Sequence, residues 1–361
     1  MAGRPSPRLR GMRSVVSGLV VSVALWSPPG MAQSKPDTRD AGIQTIDVTA
    51  KPLAGFEKLL PSKTRFGRLE WRGGFVLTSS SANFGGWSGL AVDADGRGFV
   101  AVSDAGTWLT GQITYENARP TGIAMARQGP IQALGARSLK KNRDRDAEAV
   151  ALLAGTTSNG SLLISFEQNQ RIGRFDVGTR GVSAPKSYLE MPVEMRRKKR
   201  SDGLEAMTVL RGGALKGSVV AIAENVLDKA GRHTGWIWVR GKPQRFHLSD
   251  IGGFSITGTA SLADGSLVVL ERRFRWFEGV RMRLRLIPAT DLVPGAALTG
   301  ETLLEADMTR EIDNMEAIAV HDGPRGESIL TLMSDDNFNG YLQRTLLLQF
   351  SLLPERQSSA R

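Results

Sequence analysis

Five segments of the chain share one pattern of small, apolar and polar positions. In each segment, alternating small and apolar residues lead into a turn built on Gly, Asp or Asn, and a run rich in β-branched residues follows. This pattern predicts a β-hairpin in every segment. The segments are "WSGLAVDADGRGFVAVSD" at 87–104, "DAEAVALLAGTTSNGSLLISFE" at 146–167, "DGLEAMTVLRGGALKGSVVAIAE" at 202–224, "TGTASLADGSLVVLE" at 257–271 and "DNMEAIAVHDGPRGESILTLMSDDN" at 313–337.

The hairpins recur at a near-constant interval. This interval is apparent when Gly89, Glu148, Glu205, Thr259 and Glu316 are aligned as equivalent positions. Two further strand-like runs follow within each period, such as "GWIWV" and "QRFHL" in the third. Four strands in every period of a regular repeat are typical of a propeller blade. We therefore expect an all-β fold, a β-propeller of five or six four-stranded blades.

The N-terminal part of the chain offers a strand that would close the ring. The last period has room for only about three strands before the chain ends. The runs "IQTIDV" and "RLEWRGGFVLTS" either supply the missing strand, which leaves no open sheet edge, or form a divergent sixth blade. We assign 33–65 to an N-terminal linker and possible closing strand, 66–352 to the propeller domain and 353–361 to a disordered tail.

Carboxylates mark both ends of three hairpins, and the two members of each pair are separated by the same interval in sequence. Because a hairpin brings its two ends together, each pair is expected at one end of its blade, near the central axis. Asp104 and Glu271 close the other two hairpins, opposite Gly89 and Thr259. Carboxylates that converge in this way repel one another unless a cation neutralises them or some take up protons. The three pairs are Glu148 and Glu167, Glu205 and Glu224, and Glu316 and Asp335.

Oxygen ligands in a chain without Cys and with 3 His favour calcium or magnesium over zinc or copper. Residues 335–340 also contain D-x-N-x-N-G, the first half of a calcium-loop pattern, although Leu346 stands where that pattern has a Glu. We predict a Ca²⁺ site; the alternative is that the carboxylates only bond strand-end amides and arginines. The predicted ligands are Glu148, Glu205, Glu224, Glu316, Asp335 and Asn337.

Basic loops are expected on the same face. "KKNRDR" (140–145) and "RRKKR" (196–200) come directly before the second and third hairpins, and "ERRFRW" (271–276) follows the fourth. An acidic floor under a basic rim suits an anion held by metal and arginine together, with phosphate the leading candidate. The alternative is a set of solvated charges. Trp236, Trp238 and Trp276 are expected to pack between blades.

Residues 1–32 have the features of a secretory signal. Four arginines precede a short apolar run, and Gly30 and Ala32 supply small residues for cleavage after Ala32. This predicts a periplasmic or secreted protein, with no stable membrane anchor because the run is too short to span a bilayer and no Cys is present for a lipid. The net charge of +11 fits anionic partners, which we take to be small molecules rather than nucleic acid; the alternative is that the charge only serves solubility. Oligomeric state stays open.

The blade order, from "GGWSGLAVD" through "GTASLADGSLVVLERRF" to "LTLMSDDN", resembles the phytase-like family of exported proteins, which carries the label of esterase-like activity of phytase. The resemblance covers about residues 66–352. It implies a propeller and, more loosely, metal-assisted hydrolysis of a phosphorylated small molecule. Under that interpretation Arg272 or Arg273 stabilises developing charge, and Glu167 or Glu271 acts as general base.

Two other functions fit the same features. One is a calcium-dependent lactonase or esterase, and the other is a non-catalytic periplasmic propeller that binds a ligand or partner. The sequence contains no G-x-S-x-G motif of a serine hydrolase. His233, His247 and His321 are isolated and lack the paired spacing of an H-E-x-x-H motif.

Overall fold

The computed structural model describes residues 35, 36, 38, 42–195 and 203–355. The predicted signal at 1–32, the basic run 196–200 and the end of the chain from 356 lie outside the described residues. Among the described residues, no helix has the length and apolar character needed to cross a bilayer.

The N-terminal part forms strands that join sheets built mainly from later sequence. β1 adds to the outer edge of the first blade, and β2, β3 and β4 belong to the last blade. Their bounds are Gln44–Thr45 (β1), Thr49–Pro52 (β2), Arg65–Phe66 (β3) and Leu69–Thr78 (β4).

The first two blades follow in chain order, each an antiparallel sheet. Blade 1 contains Trp87–Val92 (β5), Gly98–Ser103 (β6), Thr107–Glu116 (β7) and Arg119–Pro130 (β8). A small hairpin of Gln132–Ala133 (β9) and Arg137–Ser138 (β10) and the short helix Asn142–Arg145 (α1) lead to the next blade. Blade 2 contains Ala147–Thr156 (β11), Asn159–Phe166 (β12), Arg171–Gly178 (β13), Gly181–Val182 (β14) and Ser187–Tyr188 (β15).

The last three blades repeat the arrangement. Blade 3 contains Leu204–Val209 (β16), Val219–Leu227 (β17), His233–Val239 (β18) and Lys242–Leu248 (β19). Blade 4 contains Ser255–Ser261 (β20), Leu267–Arg275 (β21), Gly279–Ile287 (β22) and Glu301–Ala306 (β24), while Ala297–Leu298 (β23) pairs with the outer edge of blade 3. Blade 5 contains Asn314–Asp322 (β25), Ser328–Asp335 (β26) and Thr345–Leu352 (β27).

The ring has five blades and is closed by an N-terminal strand. β4 pairs antiparallel with β27 over the whole length of β27, so blade 5 combines β25, β26 and β27 with β4 and its partners β2 and β3. The innermost strands β5, β11, β16, β20 and β25 each contact the next, and β25 contacts β5. The predicted propeller is confirmed, and the choice between five and six blades is resolved at five. "RLEWRGGFVLTS", not "IQTIDV", supplies the closing strand.

The core consists of five clusters of buried side chains, one between each pair of adjacent blades. Successive side chains of a strand point to opposite faces, so both faces of a blade must be apolar. In β21, for example, Val268 packs towards blade 5 and Val269 towards blade 3. Trp236 and Trp238 pack between blades 2 and 3 as predicted. The prediction for Trp276 is wrong, because this side chain is 79% exposed.

Candidate functional site

Every innermost strand carries a β-bulge near its first residue. The register shifts lie between Trp87 and Gly89 in β5 and at the corresponding point of β11, β16, β20 and β25. A bulge inserts one residue without a pairing partner and re-aims its side chain. The five bulge residues are Ser88, Glu148, Glu205, Thr257 and Glu316.

The neighbouring strand of each blade contributes one residue at the same level. Asp104, Glu167 and Glu224 each donate a backbone N–H to the residue two before the bulge, at 3.0, 2.9 and 3.0 Å. Asp335 and Arg272 occupy the same register in blades 5 and 4, opposite Asn314 and Ser255. We call the seven acidic members of these ten positions the carboxylate ring: Asp104, Glu148, Glu167, Glu205, Glu224, Glu316 and Asp335.

Blade 4 differs from the sequence-based alignment. Arg272, not Glu271, occupies the ring position on the second strand of blade 4. On the innermost strands, the ring positions are Thr257 in blade 4 and Ser88 in blade 1, where the sequence alignment had placed Thr259 and Gly89. Because side chains alternate along β21, Arg272 points with Val268 towards blade 5 and Glu271 points towards blade 3. The ring therefore holds seven carboxylates and one guanidinium rather than eight carboxylates.

Glu271 and Arg273 do not join the ring. Glu271 is fully buried and accepts a hydrogen bond from Arg285, with Arg283 at 3.6 Å from its other oxygen. Arg273 donates to Glu278 at 2.6 Å and to the Gly252 carbonyl at 2.7 Å, and it lies over the Phe254 ring. Both side chains are engaged in contacts within blade 4 and the loop before it, away from the axis.

Burial makes the ring carboxylates costly to ionise. It is the largest cause that raises the pKa of Glu148, Glu205 and Asp335 well above the usual range, and neighbouring carboxylates add to the effect. The same causes raise the pKa of Glu167 to about 8, with Asp146 and Glu224 as the main neighbours. The pKa of Glu316 rises to about 7, because burial and Glu224 outweigh the opposing effect of Arg272.

Arg272 is an internal cation on one side of the ring. Its guanidinium donates to Asn314 Oδ1 at 2.6 Å and lies 3.4 Å from Glu316 Oε1 and 4.0 Å from Glu224 Oε1. Burial alone would lower the pKa of Arg272, but the adjacent carboxylates raise it overall.

Lys35 is a second cation at the ring, which sequence reasoning missed because it lies in the predicted linker. Its ammonium lies 2.7 Å from Asp104 and 3.2 Å from Asp146. Burial alone would lower the pKa of Lys35, yet these two carboxylates raise it above its ordinary value. Thr38, a little further along the chain, donates to the Ala105 carbonyl at 2.9 Å and accepts from Arg145, which fixes this segment against blades 1 and 2.

One group of carboxylates has the spacing of a cation site. Asp146, Glu148 and Glu167 each offer an oxygen, and these oxygens lie within 4.8 Å of one another. Three hard, negatively charged oxygens are a donor set suited to calcium. Asp146 directly precedes β11 and was missed as a ligand because it stands outside the three equally spaced pairs. Its second oxygen accepts from the side chain of Gln168.

The D-x-N-x-N-G segment is bonded internally. Asp335 accepts from the Asn337 amide at 2.6 Å, and the Asn337 carboxamide donates to Gln343 at 3.0 Å. Asp336 accepts from the amides of Gly86 and Phe338 at 3.1 and 3.0 Å. Gly86 has a φ of +66°, and a Cβ there would lie 2.5 Å from Asp104 Oδ1, so this close approach requires glycine. The segment fixes Asp335 at the ring, while Asn337 faces its own loop.

The fold and site define an all-β, five-bladed propeller with a carboxylate ring around one end of its axis. Residues 82–338 match the model of the Phytase-like family, described as esterase-like activity of phytase. That match spans well over half of the chain, and the chain belongs to this family. A search of curated proteins gives no match.

Proposed function

We propose that the protein is a calcium-dependent phosphoester hydrolase that acts on a phosphorylated small molecule at the carboxylate ring. The observation that carries the proposal is the group of buried Asp146 with partly buried Glu148 and Glu167, whose oxygens lie within 4.8 Å of one another. Lys35 lies 3.2 Å from Asp146, and its single positive charge does not balance three ionised carboxylates, so a bound divalent cation would stabilise their ionised form. The predicted export and basic charge are compatible with an anionic substrate.

In this proposal Asp146, Glu148 and Glu167 hold the calcium ion. The ion would supply Lewis-acid polarisation of a phosphoryl oxygen. Glu167 is therefore a calcium ligand in this proposal, whereas the sequence analysis gave it the role of general base. The other predicted ligands Glu205, Glu224, Glu316 and Asp335 line the remainder of the ring, and Asn337 is left out because its carboxamide is bonded to Gln343.

Arg272 would bind the phosphoryl group from the other side. Its two terminal nitrogens already face Asn314, Glu316 and Glu224, whereas its buried Nε has no hydrogen-bond partner among the described residues. A buried donor without a partner is costly, and a phosphoryl oxygen would satisfy it. Arg273 is not part of the proposal, because Glu278 and the Gly252 carbonyl occupy it.

Glu205 and Glu224 would carry the proton. Burial, followed by the charge of Glu224, raises the pKa of Glu205 well above its usual range, and a hydrogen bond between the two side chains adds to the shift. Two carboxyl groups in contact favour a state in which they share one proton, and that proton would serve as the general acid. Water would attack phosphorus as the P–O bond to the leaving group breaks, Glu205 would give its proton to the leaving oxygen, and the proton released by the water would return to the Glu205–Glu224 pair. Glu271 is unsuited to this role because Arg285 and Arg283 hold it away from the ring.

The test is a substrate panel of inositol hexakisphosphate, p-nitrophenyl phosphate, p-nitrophenyl acetate and a γ-lactone, each with calcium and with EGTA. We expect phosphate release that needs calcium, that Glu205→Gln abolishes and that the exposed control Glu301→Gln leaves intact. Hydrolysis of the lactone or acetate alone would establish the lactonase or esterase alternative. No turnover of any substrate, with calcium bound, would establish a binding propeller.

A further inference from the structure

The large apolar side chains that the described residues expose are concentrated on the ring face. This face carries the connections that precede the innermost strands and those that follow the second strands. The connections on the opposite face expose one such residue among those described, Val293, at 49%. The exposed apolar side chains of the ring face include Leu59 (90%), Trp276 (79%), Phe277 (97%), Tyr341 (89%) and Leu342 (64%).

The most prominent of these residues form the tip of one hairpin. β21 continues past Arg272 to Arg275, and β22 returns from Gly279. Trp276 and Phe277 therefore stand at the turn, beyond the level of the ring. Glu278 pairs with Arg273, Arg275 and Arg281 at 2.6 to 3.3 Å, which stiffens the base of the hairpin. A rigid, exposed Trp-Phe pair has no packing function within its own fold.

Other apolar residues project from separate loops around the same face. Tyr341 and Leu342 lie in the loop between β26 and β27. Leu59 follows Lys58, whose amide donates to the Thr309 carbonyl before β25 at 3.2 Å. These side chains stand on three separate loops, at residues 59, 276–277 and 341–342. They suit insertion into a deformable surface, in which each side chain finds its own depth.

Basic side chains accompany these apolar residues on the rim. Lys58, Lys140, Lys141 and Lys229 are exposed in the connections of this face, and Arg143 is 56% exposed. Trp, Tyr and Phe with Lys and Arg is the combination that binds the headgroup region of an anionic bilayer. The ring carboxylates do not oppose this contact at close range, since Glu316 and Glu224 are only 13% and 14% exposed.

We propose that the ring face docks reversibly on an anionic phospholipid surface, with Trp276 and Phe277 inserted among the headgroups. Apolar insertion and attraction between the lysines and lipid phosphates would act together. This docking is peripheral and differs from a membrane anchor. It does not depend on the hydrolase activity, so it can be measured without any substrate.

The test is co-sedimentation with vesicles of phosphatidylcholine alone or mixed with phosphatidylglycerol, in EGTA. We expect binding to the mixed vesicles, weakened by salt. Trp276→Ser with Phe277→Ser should weaken it by about tenfold or more. Val293→Ser, on the opposite face, is the matched control and should bind like the wild type. All variants share the N-terminal apolar run, so any contribution from it is common to them.

Fluorescence provides an independent measure. Trp276 is the exposed residue among the tryptophans that the structure describes, because Trp71, Trp87, Trp108, Trp236 and Trp238 are all at most 8% exposed. Mixed vesicles should shift the emission to shorter wavelength and protect it from iodide. The proposal is overturned if mixed vesicles bind no better than phosphatidylcholine, if the double variant binds like Val293→Ser, or if iodide quenching is unchanged. Selective capture of another protein by this face, without vesicle binding, would also overturn it.

Discussion

Arg272 Nη2 lies 3.4 Å from Glu316 Oε1. Arg272 occupies the second-strand position of the ring, at which each of the other four blades has a carboxylate. This relationship divides the ring into two parts. Blades 4 and 5 share Arg272 as an internal cation, whereas the oxygens of Asp146, Glu148 and Glu167 at blade 2 lie within 4.8 Å of one another, with Lys35 3.2 Å from Asp146.

Loss of the Arg272 guanidinium should destabilise the protein strongly. Arg272→Met leaves Glu316 and Glu224 without a counter-charge, and removal of one partner from a buried ion pair costs about 3–5 kcal/mol. Urea unfolding in EGTA measures the change. Arg275→Met, which removes an arginine whose side chain is 54% exposed, is the control and should cost under about 1 kcal/mol. Equal effects of the two substitutions would show that Arg272 does not neutralise the ring.

Without calcium, stability should fall as pH rises from about 5 to 8. The folded-state pKa is about 8 for Glu167 and about 7 for Glu316, against an ordinary value of 4.5 for both. The folded protein therefore binds more protons than the unfolded chain across this window, and raising the pH removes them at a cost to the folded state. Melting temperatures measured in EGTA check the slope, which should be shallower for Glu167→Gln. A melting temperature that rises over this window would contradict the raised pKa values.

Calcium should raise the melting temperature through the blade 2 group. A ligand that binds only the folded state stabilises it in proportion to the logarithm of its concentration, once above the Kd. Glu148→Gln should abolish most of this stabilisation, while Glu205→Gln should retain it because Glu205 carries a proton rather than the ion. Calorimetric melting at several calcium concentrations distinguishes them. If Glu205→Gln lost the stabilisation by calcium and Glu148→Gln retained it, the two assigned roles would be reversed.

Lys35 should compete with calcium. Its ammonium lies 2.7 Å from Asp104 and 3.2 Å from Asp146, and Asp146 is one of the proposed ligands. Lys35→Met should tighten calcium binding measured by isothermal titration, and it should lower the melting temperature in EGTA. Lys51→Met, which removes an exposed lysine outside the ring, is the control. Weaker calcium binding in Lys35→Met would show that the two cations cooperate instead.

The regular features of the sequence predicted the fold, since the repeated hairpins and the three equally spaced carboxylate pairs survive intact in the propeller. The errors have local physical causes. Blade 4 has a shorter hairpin, in which Thr257 and Arg272 are the equivalent positions, so alignment on Thr259 selected Glu271 instead of Arg272. Lys35 reaches Asp104 and Asp146 from a distant part of the sequence, which no local pattern encodes. A tryptophan is usually buried, so its residue type predicted a core position for Trp276, whereas the side chain lies exposed at the tip of the β21–β22 hairpin.

The most direct test of the central claim is a crystal structure of the protein grown with calcium and collected for anomalous scattering. We expect an anomalous peak bound by Asp146, Glu148 and Glu167 at about 2.3–2.6 Å from their oxygens. Glu148→Gln crystals should lose the peak, and Glu301→Gln crystals should keep it. A wild-type ring without an anomalous peak, with its carboxyl groups bonded only to one another, to Lys35 and to Arg272, would contradict the claim that this face is a calcium site.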